Sequence, residues 1–362
     1  MKVKSILVIL LLTTFTFLVG CNSNNKASDG NEKLIIYTTI FPLEDFAHKI
    51  GADHIDIKSV LPPGADAHTY EPSTRTMSEM ASANAFIYTG VGVEGFADKA
   101  KDVLKNEDVT IVAAGHGIEL RGEDEHDHAD EAHDDHEHDH ADEAHDDHEH
   151  DHADNAHDDH EHDHADEAHD DHEHDHADNS HDDHDHDHSD GDPHVWLDPT
   201  LSIKLAENIK DALIELKPDA KEDFEANFES LKNELEKLDG EYKEIFETAQ
   251  TNKLLVSHAA YGYWESRYGL DQISVTGLSP TQEPSQKQLT EIIATAKENN
   301  IKYVIFDQNI TGKIAEVVQN EIGAEALVLH NLEALTDEDV QNDEDYFSLM
   351  RQNLEILKKA LN

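Results

Sequence analysis

Residues 123–192 restrict the possible folds of this chain most, because they cannot contribute to a hydrophobic core. The segment contains five near-copies of a twelve-residue unit, His-Ala-Asp-Glu-Ala-His-Asp-Asp-His-Glu-His-Asp, of which the first begins at His128. It holds 34 acidic residues, no Lys or Arg, and almost no large apolar residue. Such a composition cannot bury enough apolar surface to fold alone. We therefore expect a disordered His/Asp-rich insertion, with the folded parts of the chain on either side of it.

The repeat segment is also rich in groups that bind metals. It holds 22 of the chain's 29 histidines, and short His-rich tracts are typical of metal binding. A solvated acidic linker is the simpler alternative, but acidity alone would not require so many imidazoles. We expect an auxiliary metal-binding loop. Its candidate ligands in the first repeats are His126, His128, His133, His136, His138, His140, His145, His148, His150 and His152.

The charge of the remaining chain argues against one class of partner. The formal net charge is −54, and the residues outside the repeat segment carry −20 of it. Binding to nucleic acid would need a basic patch, which this acidic composition does not favour. We therefore expect no nucleic-acid partner.

The first 20 residues have the pattern of an export signal. Lys2 and Lys4 precede an apolar run, residues 6–19, that is too short to span a membrane comfortably. The run ends next to Cys21, the only cysteine of the chain, in an arrangement that resembles a bacterial lipobox. An ordinary cleavage site beside an unremarkable cysteine is the alternative. We expect a signal peptide (1–20), lipidation of Cys21, a lipid-anchored tether (21–32), and a location on the extracytoplasmic face of the cell membrane.

Both remaining halves of the chain alternate between strand and helix patterns. Four short apolar runs in each half are separated by helical patterns, which predicts an α/β fold with parallel sheets covered by helices. Between the halves, residues 219–250 have apolar side chains at a sustained three-to-four spacing, typical of one long helix. A coiled-coil seam is the alternative. We expect a first lobe at 33–217 that carries the insertion, a linker helix at 218–250, and a second lobe at 251–362.

Polar residues at predicted strand ends are the best candidates for a site, since ligands in open α/β sheets bind beyond the carboxyl ends of strands. His68 follows the second strand, His258 directly follows a strand of the second lobe, Glu333 follows the last strand, and His194 lies where the folded pattern resumes. Three imidazoles and one carboxylate suit tetrahedral Zn²⁺. Other candidates remain open.

Asp307 also follows a strand and competes with Glu333 for the role of carboxylate ligand. His330 shares a loop with Glu333, but it lies nearer the strand end and could point into the sheet. We expect His48, His54 and His116 to be surface histidines without a role in the site.

Four segments resemble the signature motifs of the metal-binding solute-binding proteins of ABC importers, and in particular of their zinc-uptake lipoproteins. These segments are residues 62–68 (Pro-Pro-Gly-Ala-Asp-Ala-His), 192–199 (Asp-Pro-His-Val-Trp-Leu-Asp-Pro), 257–264 (Ser-His-Ala-Ala-Tyr-Gly-Tyr-Trp) and 329–335 (Leu-His-Asn-Leu-Glu-Ala-Leu). The resemblance implies two (β/α)₄-type lobes joined by a long rigid helix, with the metal in the cleft between them. It also implies that His68, His194, His258 and Glu333 are the ligands.

The resemblance further implies transport without catalysis. A monomer would capture Zn²⁺ and deliver it to a membrane permease driven by a cytoplasmic ATPase, since no P-loop pattern occurs in this chain. Manganese-type relatives usually place a second carboxylate where His258 stands. The alternatives are therefore a manganese or other divalent-metal binding protein, a surface metal buffer or adhesin, and a zinc hydrolase. The hydrolase would need an open coordination position, and no His-Glu-x-x-His helix is present.

Overall fold

The computed structural model of this protein describes residues 33–122, 191–310 and 312–362. The expected signal peptide, the tether with Cys21, and residues 123–190 of the repeat segment with its candidate histidine ligands lie outside the described residues.

The first lobe is built on a parallel sheet of four strands in the order β2-β1-β3-β4. Its strands are β1 (Leu34–Thr38), β2 (Ile55–Ser59), β3 (Ala85–Tyr88) and β4 (Thr110–Ala113), and its first helices are α1 (Phe41–Gly51), α2 (Thr74–Met80) and α3 (Ala97–Leu104). The two central strands are the most buried, as expected for a parallel sheet with helices on its faces. All four strands run the same way, so their carboxyl ends lie at one edge.

The second lobe repeats this arrangement with a sheet in the order β6-β5-β7-β8. Its strands are β5 (Lys253–His258), β6 (Asp271–Thr276), β7 (Tyr303–Asp307) and β8 (Glu325–Leu329). Its helices are α6 (Gly262–Tyr268), α7 (Gln286–Glu298), α8 (Lys313–Ile322), α9 (Asp337–Gln341) and α10 (Tyr346–Ala360). The predicted α/β class with two parallel sheets is therefore confirmed.

One long helix joins the lobes, and a second long helix, which belongs to the first lobe, precedes it. Helix α4 (Pro199–Leu216) begins with Asp198, whose carboxylate accepts a hydrogen bond from the Thr200 amide at 2.7 Å. Helix α5 (Lys221–Thr248) has 28 residues and buries one apolar stripe from Phe224 to Ile245. It packs against α1 and α4 in the first lobe and against α6 and α10 in the second. The predicted linker helix is thus present, and its contacts with both sides favour a stiff connection.

Three local differences from the sequence prediction have physical causes. The sequence pattern predicts a helix over residues 94–105, but α3 begins at Ala97, because the Glu94 carboxylate is buried and accepts hydrogen bonds from Thr39 and Thr89. The sequence pattern predicts a last helix over residues 343–361, but the helix begins three residues later, at Tyr346, where Asp345 caps it. The short helix α9 was not predicted, since five residues carry too little periodicity to recognise.

One large apolar core runs through the first lobe, helices α4 and α5, and the inner side of the second lobe. A smaller core around Leu255 and Val304 lies between the second sheet and its outer helices. Among the helices that the structure describes, none is both long enough and apolar enough to cross a membrane.

Candidate metal centre

Four side chains from both lobes converge on one point: His68, His194, His258 and Glu333. His68 lies in the loop after β2, and His194 directly precedes the short 3₁₀ turn Val195–Leu197. His258 is the last residue of β5, and Glu333 follows β8. The strand-end positions named from the sequence are thus neighbours in space.

One potential ligand atom from each of these residues lies within 4.8 Å of the other three. The Nε2 atom of His68 is 3.4 Å from Oε1 of Glu333. A tetrahedral zinc site with bonds of about 2.0–2.1 Å has neighbouring ligand atoms roughly 3.3–3.4 Å apart. This pair is therefore already at the separation that a shared zinc ion requires.

The same four ligand atoms are buried and have no hydrogen-bond partner. These are Nε2 of His68, His194 and His258, and Oε1 of Glu333. A buried polar atom without a partner costs about 1–3 kcal/mol, and four of them around one point would be a considerable penalty. A cation at that point would satisfy all four, so the arrangement fits a metal centre.

The orientation of His194 is fixed by Asp192. Oδ1 of Asp192 accepts hydrogen bonds from Nδ1 of His194 at 2.8 Å and from its backbone amide at 3.0 Å. A carboxylate only accepts, so Nδ1 carries the proton and Nε2 presents its lone pair to the site. Burial lowers the pKa of His194 and outweighs the opposite effect of Asp192, which favours the neutral imidazole that a metal requires.

His258 is oriented in the same way by Asp307. Its Nδ1 donates to Oδ2 of Asp307 at 2.7 Å, and the same carboxylate accepts hydrogen bonds from Tyr261 at 2.6 Å and from Ser257. Burial alone would lower the pKa of His258. The charge and hydrogen bond of Asp307, together with the charges of Glu333 and Asp192, outweigh burial and raise this pKa. The pKa of Asp307 is lowered, because the His258 charge and these donors outweigh burial. Asp307 is not one of the four converging residues. It contacts the centre only through its hydrogen bond with His258.

Glu333 is held by the first lobe as well as by its own loop. Its Oε2 accepts from the Ala67 amide at 3.1 Å, and its backbone carbonyl accepts from the Phe41 amide at 3.0 Å. Burial would raise the pKa of Glu333, but the three imidazoles, His68 foremost, lower it and keep the carboxylate ionised. Leu332 before it has a φ of 63°, a strained value for a bulky side chain. The loop maintains this strain while it directs Glu333 into the centre.

His330 supports that loop and is not part of the converging group. Its Nδ1 accepts from the Leu332 amide at 2.9 Å, so its Nε2 carries the proton and faces Asp339 at 3.2 Å. Both ring nitrogens are thus occupied, and burial lowers the pKa of the ring. His48 and His116 are exposed, and His54 pairs with Asp223 at the surface. The roles of Asp192 and His330 could be recognised only in the structure. Asp192 lies two residues before His194, however, and this spacing allows its hydrogen bond to the His194 ring.

A profile described as the periplasmic zinc-uptake complex component A (ZnuA) matches residues 36–360 of this chain. The chain belongs to the ZnuA family. The family expected from the sequence motifs is therefore confirmed, and the match covers both lobes and all four converging residues.

Curated proteins named for zinc binding or zinc uptake are similar in sequence to this chain over almost its whole length. The zinc-binding lipoprotein AdcA of Streptococcus pneumoniae is 32% identical over 362 residues, which is 99% of this chain and 61% of the relative. The chain thus spans less than two thirds of that protein. The high-affinity zinc uptake system protein ZnuA of Bacillus subtilis is 29% identical over 350 residues, 96% of this chain and 94% of the relative.

Solved structures agree with the fold. The Zn(II)-bound ZnuA-like domain of Streptococcus pneumoniae AdcA superposes with a TM-score of 0.64 at 28% identity, and the match covers 91% of this chain and 99% of that domain. The metal-dependent lipoprotein YcdH of Bacillus subtilis gives a TM-score of 0.64 at 27% identity, with 91% and 99% covered.

Proposed function

We propose that this protein is the extracytoplasmic zinc-binding component of an ABC importer, which captures Zn²⁺ between its lobes and delivers it to a membrane permease. One observation carries the proposal. Four buried, unpartnered ligand atoms, two from each lobe, converge on a single point. We assign His68, His194, His258 and Glu333 as the ligands. The names of relatives, a zinc-binding lipoprotein and a zinc-uptake protein, support it.

The donor set favours zinc over manganese. Three imidazoles and one carboxylate suit Zn²⁺, whereas oxygen-rich sites suit Mn²⁺. Four protein ligands also leave no coordination position for a reacting water, which argues against a zinc hydrolase. We therefore propose a binding protein and not an enzyme.

Bonds across the lobe interface suggest that zinc leaves by a local movement. The Trp196 indole donates to the Asn331 carbonyl at 2.8 Å, and the Trp264 indole donates to the Leu197 carbonyl at 2.8 Å. These buried bonds, together with helix α5, resist a wide opening of the lobes. The His68 residue is the least buried of the four ligands. Its loop is held to the second lobe by hydrogen bonds from Gly64 to Leu335 and from Ala67 to Glu333, and we propose that this loop opens.

The cellular setting follows from the family and the sequence together. We propose lobes at 33–217 and 251–362 joined by 218–250, a monomer anchored through lipid on Cys21, and a permease and ATPase as partners. A Cys21→Ser variant tests the anchor. We expect it in the soluble extracytoplasmic fraction, and an unchanged membrane fraction would contradict lipidation.

Zinc titration of the full chain tests the site. The chain has two tryptophans, Trp196 and Trp264, and the Trp196 ring is 5.3 Å from the His194 ring. Their emission therefore reports on the cleft even when the repeat segment also binds zinc. We expect a tight transition of one equivalent that Mn²⁺ matches only at much higher concentration.

Two variants complete this test. His258→Ala is expected to weaken the tight transition at least 100-fold. His116→Ala, an exposed histidine outside the group, is its matched control and is expected to bind like the wild type. Replacing residues 123–190 with a short turn is expected to leave the tight site intact. Loss of tight binding in this shortened chain would assign the function to the repeat segment, as a metal buffer, and would refute the proposal.

A further inference from the structure

Gly122 and Gly191 directly precede and follow residues 123–190 of the repeat segment. These two glycines pair as an antiparallel bridge, and the Asp192 amide donates to the Arg121 carbonyl at 2.7 Å. We call the four residues Arg121, Gly122, Gly191 and Asp192 the neck. The neck pairs the residues on the two sides of the insertion, and its last residue, Asp192, lies two residues before His194.

Helix α6 of the second lobe holds the neck from the other side. The Tyr263 hydroxyl donates to the Asp192 carbonyl at 2.7 Å. Nη1 of Arg121 donates to Oε2 of Glu265 at 2.6 Å, and the other oxygen of Glu265 accepts from the Gln272 amide at 2.9 Å. The neck belongs to the first lobe, so these contacts connect the two lobes directly beside the metal centre.

The fit between helix and neck is close enough to require glycine on the helix. A Cβ on Gly262 would collide with Oδ2 of Asp192 and with Nη1 of Arg121. The side chains of Arg121 and Asp192 therefore both pack against α6 at Gly262. Nε of Arg121 and Oδ2 of Asp192 are both buried, so neither side chain can shift into solvent without opening the contact.

Asp192 joins this contact to the centre, because its other oxygen orients both the amide and the ring of His194. We propose that Arg121 is a positioning residue for zinc binding, and that the neck is a latch between the lobes which holds His194 in place. The inference rests on the proposed function, in which His194 is a ligand. The latch gives His194 a fixed position although a long polar segment is inserted immediately before it in the sequence.

An Arg121→Met variant of the full chain tests the latch. Methionine keeps much of the apolar stem but cannot bond Glu265. Arg351→Met is the matched control, since Nε of Arg351 makes a comparable 2.8 Å bond to Glu241, but between α10 and α5 and not between α6 and the neck. Each protein is loaded with one equivalent of Zn²⁺, and its release to an excess of chelator is followed by tryptophan emission.

We expect Arg121→Met to weaken zinc binding and speed its release by about 10–100-fold, the usual effect of losing a residue that orients a ligand. Arg121→Lys is expected to recover part of the loss, and Arg351→Met to differ from the wild type by less than about twofold. The absorption spectrum of the Co²⁺-loaded protein is expected to change only in Arg121→Met. A merely structural role would lower the melting temperature of both methionine variants and leave the cobalt spectrum unchanged.

Tyr263→Phe provides a second variant if Arg121→Met does not fold, because it removes only the hydroxyl that bonds Asp192. The same direction is expected with a smaller effect. Zinc release from both variants at the wild-type rate, with an unaltered cobalt spectrum, overturns the latch. Absence of a one-equivalent tryptophan response in the wild type would instead overturn the proposed zinc site.

Discussion

Replacing Asp307 with Asn tests the centre at the residue that the sequence left ambiguous. Asp307 is fully inside the second lobe, and its carboxylate accepts hydrogen bonds from His258, Tyr261 and Ser257. An Asn side chain has nearly the same shape, but only one of its two polar atoms accepts. At least one donor is therefore left without an acceptor, and the proton on Nδ1 of His258 is no longer stabilised by a negative charge.

The expected magnitude follows from the role of such partners. Removing a carboxylate that orients a metal-bound imidazole typically reduces metal affinity about 10–100-fold. This corresponds to about 1.4–2.7 kcal/mol of binding free energy. The lower limit applies if Asn turns its oxygen towards Nδ1 of His258, and the upper limit applies if the amide NH₂ faces the ring and inverts its tautomer.

The pH dependence gives a second, independent signature. Zinc binds the neutral imidazole, so protons compete for His258. In the wild type burial alone would lower the pKa of His258, but the nearby carboxylates, Asp307 foremost, together raise it above its ordinary 6.5. Zinc affinity should therefore begin to fall as the pH drops through neutrality. In Asp307→Asn the charges of Glu333 and Asp192 still oppose burial. Without the charge of Asp307, however, the pKa of His258 falls below its wild-type value. The variant should bind zinc more weakly at pH 8, and its affinity should change less between pH 8 and 6.5.

Chelator competition followed by tryptophan emission, repeated from pH 8 to 6, measures both effects. Asp223→Asn is the control, because Asp223 also pairs with a histidine, His54, at 2.9 Å but on the surface. Circular dichroism confirms that the variants are equally folded. The reasoning is refuted if Asp307→Asn and Asp223→Asn have the same zinc affinity, or if the pH profile of Asp307→Asn remains parallel to that of the wild type.

Three further predictions concern stability. Removing zinc with a chelator should lower the melting temperature, since a ligand at 1,000 times its dissociation constant stabilises by about 4 kcal/mol; an unchanged melting temperature by calorimetry would contradict a site that joins the lobes. Asp239→Asn should cost about 1 kcal/mol after solvent screening at pH 7 in urea unfolding, because Arg267 and Lys243 outweigh burial and lower the pKa of Asp239 to about 2. A depressed pKa stabilises above the unfolded value of 3.8, so this difference should shrink towards pH 2, and a constant difference would be inconsistent with it. Ser285→Ala removes the capping box of α7 and should cost about 1 kcal/mol in the same assay, with no effect on zinc release.

Most of the fold could be predicted because it depends on local patterns. The eight strands are short apolar runs between helical patterns, and the apolar stripe of α5 was readable from Phe224 onwards. Helix starts with a capping side chain, such as Ser285, were also recognisable. Helix α3 was placed too early because the burial of Glu94 against Thr39 and Thr89 depends on residues distant in the sequence.

The candidate ligands could be named from the sequence for a topological reason. Parallel strands bring their carboxyl ends to one edge, so a polar residue after each strand is a candidate wherever the sheet packs. This rule selected His258 and Glu333, together with Asp307 as the alternative to Glu333. It could not decide between the carboxylates, since both follow strands. Only the packing shows that Asp307 bonds the back of His258 while Glu333 faces the same point as the imidazoles.

The sequence by itself determined the class of the fold, the order of its strands and longer helices, the family, and the set of residues from which a metal centre could be built. The tertiary structure decided which of those residues meet, which atom each presents, and what holds it. It also showed that the neck beside His194 is held by helix α6 across the lobe interface. The physical reason is that periodicity and capping act within a few residues. The orientation of a ligand depends instead on hydrogen bonds between residues such as Ala67 and Glu333, which only the packed lobes bring together.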